Sequence, residues 1–344
     1  SPLLKGRESS WEDVDSFVKE QLAKVAASGK KVVILTDSIN SPSTNAAIAD
    51  FIKAYPTAKQ VTYDAVSYSG IINANKNSFE KAVIPTYKFD NADLIVSFGA
   101  DFLGSWISPV EFARQYASKR NAAYLKANKT MSRHIQFETE LSLTGSNADV
   151  RIPVRPSQSG LALIGLYNNI AKLAGAQSFS VETPEFAGNI VAKTAKELWD
   201  NKGKSLVVAG SNDVSTQILV NAINSLLGNY GSTIDLDNAS QLYKGSDAEV
   251  IELVNEMNRG EVGALFVYGV NPLYSYPKAA DFAAGLKKVA LKVSFAERED
   301  ETAKGFDVIA PDHHSLEAWT DAEPRKAVFL IGQPTINPIY DTRQ

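Results

Sequence analysis

Asp312-His313-His314 is the one histidine cluster in a 344-residue chain that has three histidines and no cysteine. Imidazole and carboxylate together suit a metal ion. In extended backbone, however, adjacent side chains point to opposite faces, so at most Asp312 and His314 can reach one ion, and only His134 remains elsewhere. A solvent-facing turn after the strand that ends at Pro311 is the expected reading. The run Glu297-Arg298-Glu299-Asp300-Glu301 offers paired carboxylates for acid–base work. The preferred reading is a loop and helix N-terminus where acids complement the macrodipole. No Gly-x-Ser-x-Gly, P-loop or full Gly-x-Gly-x-x-Gly follows any apolar run. Gly99-Ala100-Asp101 and Gly269-Val270-Asn271 sit just past such runs, where an open α/β sheet binds ligands. A tight strand-to-helix turn that needs glycine explains them equally well. No residue is assigned a catalytic, cofactor-binding or metal-binding role.

The elements that would position these residues occur twice. Lys31-Val-Val-Ile-Leu-Thr36 reads as a buried strand, and Ser43 or Thr44 caps a helix through Ala46, Ile48, Phe51 and Ile52 that stops before Pro56. Ser205-Leu-Val-Val-Ala209 and a helix through Leu219, Ile223 and Leu227, ended by Gly228, repeat that syntax. Asp93-Leu-Ile-Val-Ser-Phe98 pairs in kind with Ala264-Leu-Phe-Val-Tyr268, and His134-Ile-Gln-Phe-Glu138 with Val289-Ala-Leu-Lys-Val-Ser-Phe295. Each third strand is followed by a short one, Ala148-Asp-Val-Arg-Ile-Pro153 or Phe306-Asp-Val-Ile-Ala-Pro311. Three β-α units in the same order twice predict an α/β protein with two doubly wound parallel-sheet domains of Rossmann-like type. The boundaries expected are an opening segment over 1–27, a first domain with trailing linker over 28–200, a second over 201–332, and a tail over 333–344. Pro334, Pro338 and the lone apolar Ile336, Ile339 and Tyr340 give the tail neither helical nor strand periodicity, so it is expected to be held by a partner half and not by this chain. The join falls after a helix at 161–173, where Gly175-Ala-Gln-Ser and Thr183-Pro184-Glu185 interrupt helical periodicity.

Composition narrows the functional classes. Hydrophobic residues make up 44% and charged residues 22%, ordinary for a globular protein with a sizeable core. A net charge of −4 with only short basic runs gives no electrostatic footprint for nucleic acid. Apolar runs such as Leu206-Val-Val-Ala209 are far below the roughly 18 residues of a membrane span, so no direct span is expected. Ser1 is not an initiator Met, which suggests a processed protein or an excised piece.

A family resemblance runs through nearly the whole chain. Ser1-Pro-Leu-Leu-Lys-Gly-Arg7 with Ser10-Trp11-Glu12, Asn45 in the first helix, the stretch from Asp93 to Asp101, and Ala148-Asp-Val-Arg-Ile-Pro-Val-Arg-Pro156 resemble the ordered motifs of the molybdopterin oxidoreductase superfamily. Leu226-Leu-Gly-Asn-Tyr-Gly231, Asn271-Pro272 with Pro277, and Glu301-Thr-Ala303 through Pro311 continue the same order. Within that superfamily, Ser142-Leu-Thr-Gly-Ser-Asn-Ala-Asp149, Ser294-Phe-Ala-Glu-Arg-Glu-Asp-Glu301, Asp321-Ala-Glu-Pro324 and Gln333-Pro-Thr-Ile336 look most like the iron-sulfur B subunit of alternative complex III, a quinol oxidoreductase of the respiratory chain.

Departures from the motifs matter equally. In catalytic members two Rossmann-like domains each grip one guanosine end of a bis-pterin cofactor. Here Glu138-Thr139-Glu140 stands where an Asp-Pro-Arg is usual, Pro156-Ser157-Gln158-Ser159 lacks the usual glycine, and Asp101-Phe102 replaces Asn-Pro. The late motif is reduced to Trp319-Thr-Asp-Ala-Glu-Pro-Arg325. Acids facing a pyrophosphate repel it, and the missing glycine blocks backbone approach. The resemblance therefore implies a cofactor-free, non-catalytic platform for electron transport, with iron-sulfur clusters in a C-terminal half beyond this chain. The partners implied are that half, a multihaem cytochrome c and membrane subunits, on the periplasmic side of a bacterial inner membrane. Two other readings stand beside it: a fragment of an active molybdenum or tungsten bis-pterin oxidoreductase, and a bilobal small-molecule binding protein.

Overall fold

Residues 31–36 form the strand Lys31–Thr36 in a computed structural model that describes residues 1–181 and 188–343. Its side chains alternate between two cores. Val33 and Leu35 join Val250, Leu253, Met257 and Phe282, while Val32 and Ile34 join Val14, Leu22 and Val25. A strand apolar on both sides is one covered by helices on both faces, which is the doubly wound arrangement.

This strand belongs to a unit made of Ser1–Ser67 and Gln241–Gln344. Its sheet runs, in order, Arg7–Glu8, Leu3–Leu4, Val308–Ile309, Leu291–Ser294, Val262–Tyr268, Lys31–Thr36 and Ala58–Thr62. The last five are parallel and the first two form an antiparallel edge. Helices Trp11–Ser28 and Pro42–Ala54 contribute to one core, and Asp247–Arg259 and Ala279–Leu286 to the other. Ser10, Ser41 and Ser246 each accept a backbone N–H three residues on. The cap expected at Ser43 or Thr44 is thereby corrected to Ser41, because Pro42 takes the first helical position and places both residues inside the first turn.

The second unit is Tyr68–Ser240. Val150–Pro153, Arg133–Glu138, Leu94–Phe98 and Ser205–Ala209 lie side by side in that order, all parallel. One face packs on helices Pro156–Ala174, Gly188–Asp200 and Val214–Leu226 through Leu94, Val96, Phe137, Leu166, Ile170 and Ile223. The other carries an aromatic group in which Phe89 stacks on Phe102 at 4.4 Å between ring centres and Phe102 meets His134 at 5.2 Å. An antiparallel pair, Ile84–Tyr87 with Ile234–Ser240, completes this unit.

The predicted α/β class, with two parallel sheets covered by helices, is what the chain forms. The predicted contiguous division, 28–200 and 201–332, is corrected. Strands of each kind appear once per sheet, yet the first strand of each repeat sits in the other repeat's sheet: Lys31–Thr36 pairs with Val262–Tyr268, and Ser205–Ala209 with Leu94–Phe98. Both swapped strands are short apolar runs ahead of a capped helix, so periodicity cannot tell them apart. What distinguishes them is specific pairing. Lys31 bonds Glu256 and Glu261 at 3.0 Å each, and Lys59 bonds Glu256 at 3.0 Å. The expected Thr183-Pro184-Glu185 interruption lies outside the described residues.

Two smaller expectations are also corrected. The 297–301 acids precede only the single 3₁₀ turn Ala303–Gly305, whose start Asp300 holds by accepting the Ala303 N–H at 2.7 Å. The 333–343 tail, expected to be held by a partner, bonds its own unit. Thr335 and Ile336 donate to Leu316 O at 2.8 and 3.1 Å, Ile339 donates to Glu317, and Arg343 reaches Asp15 at 3.0 Å. Backbone hydrogen bonding needs no side-chain periodicity, which is why the irregular sequence misleads here.

Candidate functional site

In an open α/β sheet the functional turns lie beyond the carboxyl ends of the parallel strands. In the unit holding the chain ends, Asp37 follows Lys31–Thr36, Asp64 lies just past Ala58–Thr62, Gly269 follows Val262–Tyr268, and Asp312 comes soon after Val308–Ile309. Asp64 organises this end. Its carboxylate accepts the Ser38 N–H at 3.1 Å, the Ser38 hydroxyl at 2.7 Å and the Gly245 N–H at 2.9 Å. The approach depends on glycine: a Cβ on Gly245 would lie 2.7 Å from the Asp64 carboxylate. Ser38 Oγ in turn accepts the Lys244 N–H at 2.6 Å.

Asp37 stands exposed beside this group. Displacement of water by surrounding protein, and then the negative charge of Asp64, push its pKa up to about 6. Gly269, at φ +71°, makes room for it, because a Cβ there would lie 2.9 Å from Asp37 Oδ1. Burial also raises the pKa of Asp312, against the opposing pull of the His313 N–H and the Tyr268 hydroxyl. Tyr268 is itself pushed up to about 12, by burial first and then by Asp312.

The contiguous unit repeats the theme with different residues. Gly99, at φ +66°, follows Leu94–Phe98, and a Cβ on Gly210 would come within 2.4 Å of Gly99 O. Asp101 Oδ1 accepts the Thr144 N–H at 3.0 Å and the Thr144 hydroxyl at 2.7 Å. Gly104 is confined in turn, since a Cβ would clash with Asp101 Oδ2 at 2.1 Å. Asn212 Oδ1 takes the Gly70 N–H at 2.7 Å.

Below these turns lies a buried polar file on one face of Arg133–Glu138. His134 meets Gln136 at 3.1 Å, Gln136 donates to Glu138 at 3.2 Å, and Glu138 receives the Ser142 hydroxyl at 2.6 Å and the Arg151 Nε. Burial alone would raise the Glu138 pKa, but the bonds from Ser142, Arg151 and Gln136 outweigh it and hold it below the usual carboxylate range. Burial likewise drives His134 down to about 4, so it is neutral at neutral pH.

These placements sort the sequence candidates. Gly99 and Gly269 occupy corresponding turns: Leu94–Phe98 is the third strand counted from Val150–Pro153 in its sheet of four, and Val262–Tyr268 the third counted from Val308–Ile309 among the five parallel strands of the other. Glu138 does not face outward as an acid opposing a ligand. Its charge is turned inward and met by Arg151, while Thr139 and Glu140 are exposed. Pro156-Ser157-Gln158-Ser159 is the first turn of the helix Pro156–Ala174 and not a separate loop. Asp312 and His314 do not converge: Asp312 bonds Tyr268, and His314 Nδ1 accepts the Leu316 N–H at 3.2 Å. No set of three His, Asp or Glu residues suited to a metal occurs among the described residues. Sequence reasoning missed Asp64 and Arg151. The signal for Arg151 was an arginine inside a predicted strand, placed by register opposite Gln136.

The donor chemistry bears directly on a bis-pterin dinucleotide. Its pyrophosphates would need backbone N–H groups turned toward them at these strand ends. Here the N–H groups of Ser38 and Gly245 are taken by Asp64 and that of Thr144 by Asp101. Lys244, the nearby cation, has its pKa lowered by burial and donates to Ile39 O at 3.2 Å. The residues present do not fit such an anion.

No protein-family model matches the chain. Among curated proteins it is similar to a menaquinone reductase, molybdopterin-binding-like subunit, from Nitratidesulfovibrio vulgaris, 22% identical over 385 aligned positions that cover 97% of this chain and 53% of that protein. The chain thus spans about half the length of that relative. Acetylene hydratase from Pelobacter acetylenicus superposes with a TM-score of 0.72 at 12% identity, over 99% of this chain and 59% of that one. Its fold is similar to that of molybdopterin enzymes. A chain of the formyltransferase/hydrolase complex from Methylorubrum extorquens in complex with methylofuran gives a TM-score of 0.63 at 12% identity, over 99% of this chain and 95% of that one. At these identities the two solved structures establish the fold alone. No helix among the described residues is long and apolar enough to cross a membrane.

Proposed function

We propose that the chain is a cofactor-free, molybdopterin-oxidoreductase-like platform within the iron-sulfur subunit of a respiratory quinone or quinol oxidoreductase of the alternative complex III kind. The observation that carries this reading is the occupation of strand-end donors by Asp64 in one unit and Asp101 in the other. A fold of this type that has filled its own anion positions with carboxylates retains the scaffold and gives up the ligand. Similarity to a curated subunit whose name is that of a menaquinone reductase component supports the assembly context. On this reading the chain contributes rigid surface, and electron carriers reside in other parts of the complex: an iron-sulfur half, multihaem cytochrome c and membrane subunits at the periplasmic face.

The test is purification of the chain from membranes of its own host under mild detergent. Copurification with haem-bearing and membrane subunits that together oxidise or reduce a quinone is the expected outcome. Isolation as a soluble protein without companions would contradict it. The catalytic alternative, an active bis-pterin enzyme fragment, predicts bound pterin in the same material, and the acids at both sets of strand ends oppose it.

A further inference from the structure

The Tyr116 hydroxyl, on the buried face of the helix Pro109–Ser118, lies 3.0 Å from the backbone oxygen of Asn147 and 3.3 Å from His134 Nδ1. Its single proton bonds the carbonyl at rest, but a carbonyl cannot keep a proton and a neutral imidazole nitrogen can. The polar file on Arg133–Glu138 fixes which nitrogen that is. Glu138 is ionised and paired with Arg151, so the Gln136 amide turns its N–H toward Glu138 and its oxygen toward His134 Nε2. Nε2 must then carry the imidazole hydrogen, which leaves the Nδ1 lone pair facing Tyr116. Burial keeps both partners neutral at neutral pH, with the tyrosine pushed up to about 12 and the histidine down to about 4.

We infer that Tyr116 is a redox-active tyrosine with His134 as its proton acceptor, a site that takes up one oxidising equivalent from a strong one-electron oxidant of the over-oxidised haem class. The step balances. The phenol gives one electron to the oxidant, whose metal is reduced by one unit, and its O–H bond breaks as the proton passes to Nδ1. The products are a neutral phenoxyl radical and a buried imidazolium, and one-electron re-reduction returns the proton to the phenol. Arg120, whose guanidinium lies 4.9 Å from the Tyr116 ring centre, opposes positive charge left on that ring, so the proton leaves with the electron. Asp149, which pairs with Arg120 at 2.8 and 2.9 Å and accepts the His134 N–H at 2.7 Å, favours the imidazolium. Trp106 supplies the contrast. It is 4% exposed and its Nε1 has no acceptor among the described residues, so an electron lost there leaves its proton no destination. Rings connect it through Phe112 at 5.8 Å, Phe89 at 4.8 Å and Phe102 at 4.4 Å to Tyr116 at 5.7 Å, so a vacancy formed at Trp106 settles on the tyrosine. Phenol oxidation lies far above any quinone couple. The site therefore stands apart from quinone turnover, and it goes beyond the platform reading without resting on it.

The experiment uses the full chain with tris(bipyridine)ruthenium(III), generated by a light flash in the presence of a cobalt(III) ammine acceptor. The expected result is a neutral tyrosyl radical that outlives those on exposed tyrosines. In protein grown on isotope-labelled histidine, that radical should show magnetic coupling to an imidazole nitrogen. Tyr116→Phe should shorten the lifetime of the radical signal by about tenfold or more, the scale of losing a positioned proton acceptor. Tyr340→Phe, at a position 75% exposed, should leave it unchanged. Melting curves establish that both variants fold. A lifetime unchanged by Tyr116→Phe overturns the proposal, and so does a signal in the unsubstituted chain that decays as fast as that of exposed tyrosines. A long-lived radical without coupling to histidine nitrogen overturns it as well, and that readout needs no variant to fold. None of these results touches the platform reading, which is decided by recovery of companion subunits.

Discussion

Gly210 lies against Gly99 so closely that a single added methyl carbon would sit 2.4 Å from the Gly99 carbonyl oxygen. The two glycines follow adjacent parallel strands, Ser205–Ala209 and Leu94–Phe98, that are more than a hundred residues apart in sequence. Their contact is a local record of the crossed repeat, in which each repeat lends its first strand to the other's sheet.

Gly210→Ala should therefore destabilise the contiguous unit by about 1–3 kcal/mol, the usual cost of overpacking where backbone cannot move away. Gly160→Ala is the control. That glycine is exposed in Pro156–Ala174, and an added Cβ meets nothing within 4 Å, so the change should stabilise by about 0.5–1 kcal/mol. Chemical denaturation of the two variants measures both, and equal effects would refute the close approach.

The crossed strands also predict which fragments fold. Residues 68–240, carrying all four parallel strands of one sheet, should unfold cooperatively when expressed alone. Residues 28–200, the contiguous repeat, lack the partner strand Ser205–Ala209 and should not. Circular dichroism through a thermal ramp separates the two, and cooperative unfolding of the second fragment alone would restore the contiguous division.

How much of this was legible in the sequence follows from the kind of information each feature needs. The strand Lys31–Thr36 and the turn glycines Gly99 and Gly269 are written in local pattern, whereas the cap of Pro42–Ala54 reads two or three residues late from sequence because Ser41, Ser43 and Thr44 are all capping types and only Ser41 precedes the helical Pro42. Strand partnership is not, because Val32–Leu35 and Leu206–Ala209 carry the same apolar code and their pairing depends on distant groups such as Glu256 and Glu261 meeting Lys31. The inward turn of Glu138 was hidden for the same reason, as its partner Arg151 is thirteen residues away on a neighbouring strand.

Arg151→Ala should cost about 3 kcal/mol, since it leaves the buried Glu138 carboxylate without its cation. Pairing with Glu138→Gln should recover part of that loss. The folded-state pKa of Glu138 is lowered, so its contribution is present above the ordinary glutamate range and fades as pH falls through the folded value. The stability advantage of the unsubstituted protein over the Arg151→Ala variant should accordingly shrink on acidification.

Asp37 has the opposite sign. With a folded-state pKa raised to about 6, its favourable contribution is full below its ordinary value near 3.8 and is lost as pH rises through about 6. Asp37→Asn should raise the melting temperature by about 1–3 °C at about pH 8, an amount kept small by solvent exposure, and by less at about pH 5. Melting curves at the two values check this, and a benefit larger at the acidic value would contradict the crowding described around Gly269 and Asp64.

The central claim, that this fold has exchanged its cofactor for its own carboxylates, is tested most directly by metal and pterin analysis of the complex isolated from its native host. The account predicts molybdenum and tungsten each well below one atom per chain, and no pterin fluorescence after oxidation of the denatured protein. One molybdenum or tungsten per chain, with pterin recovered in proportion, would contradict it.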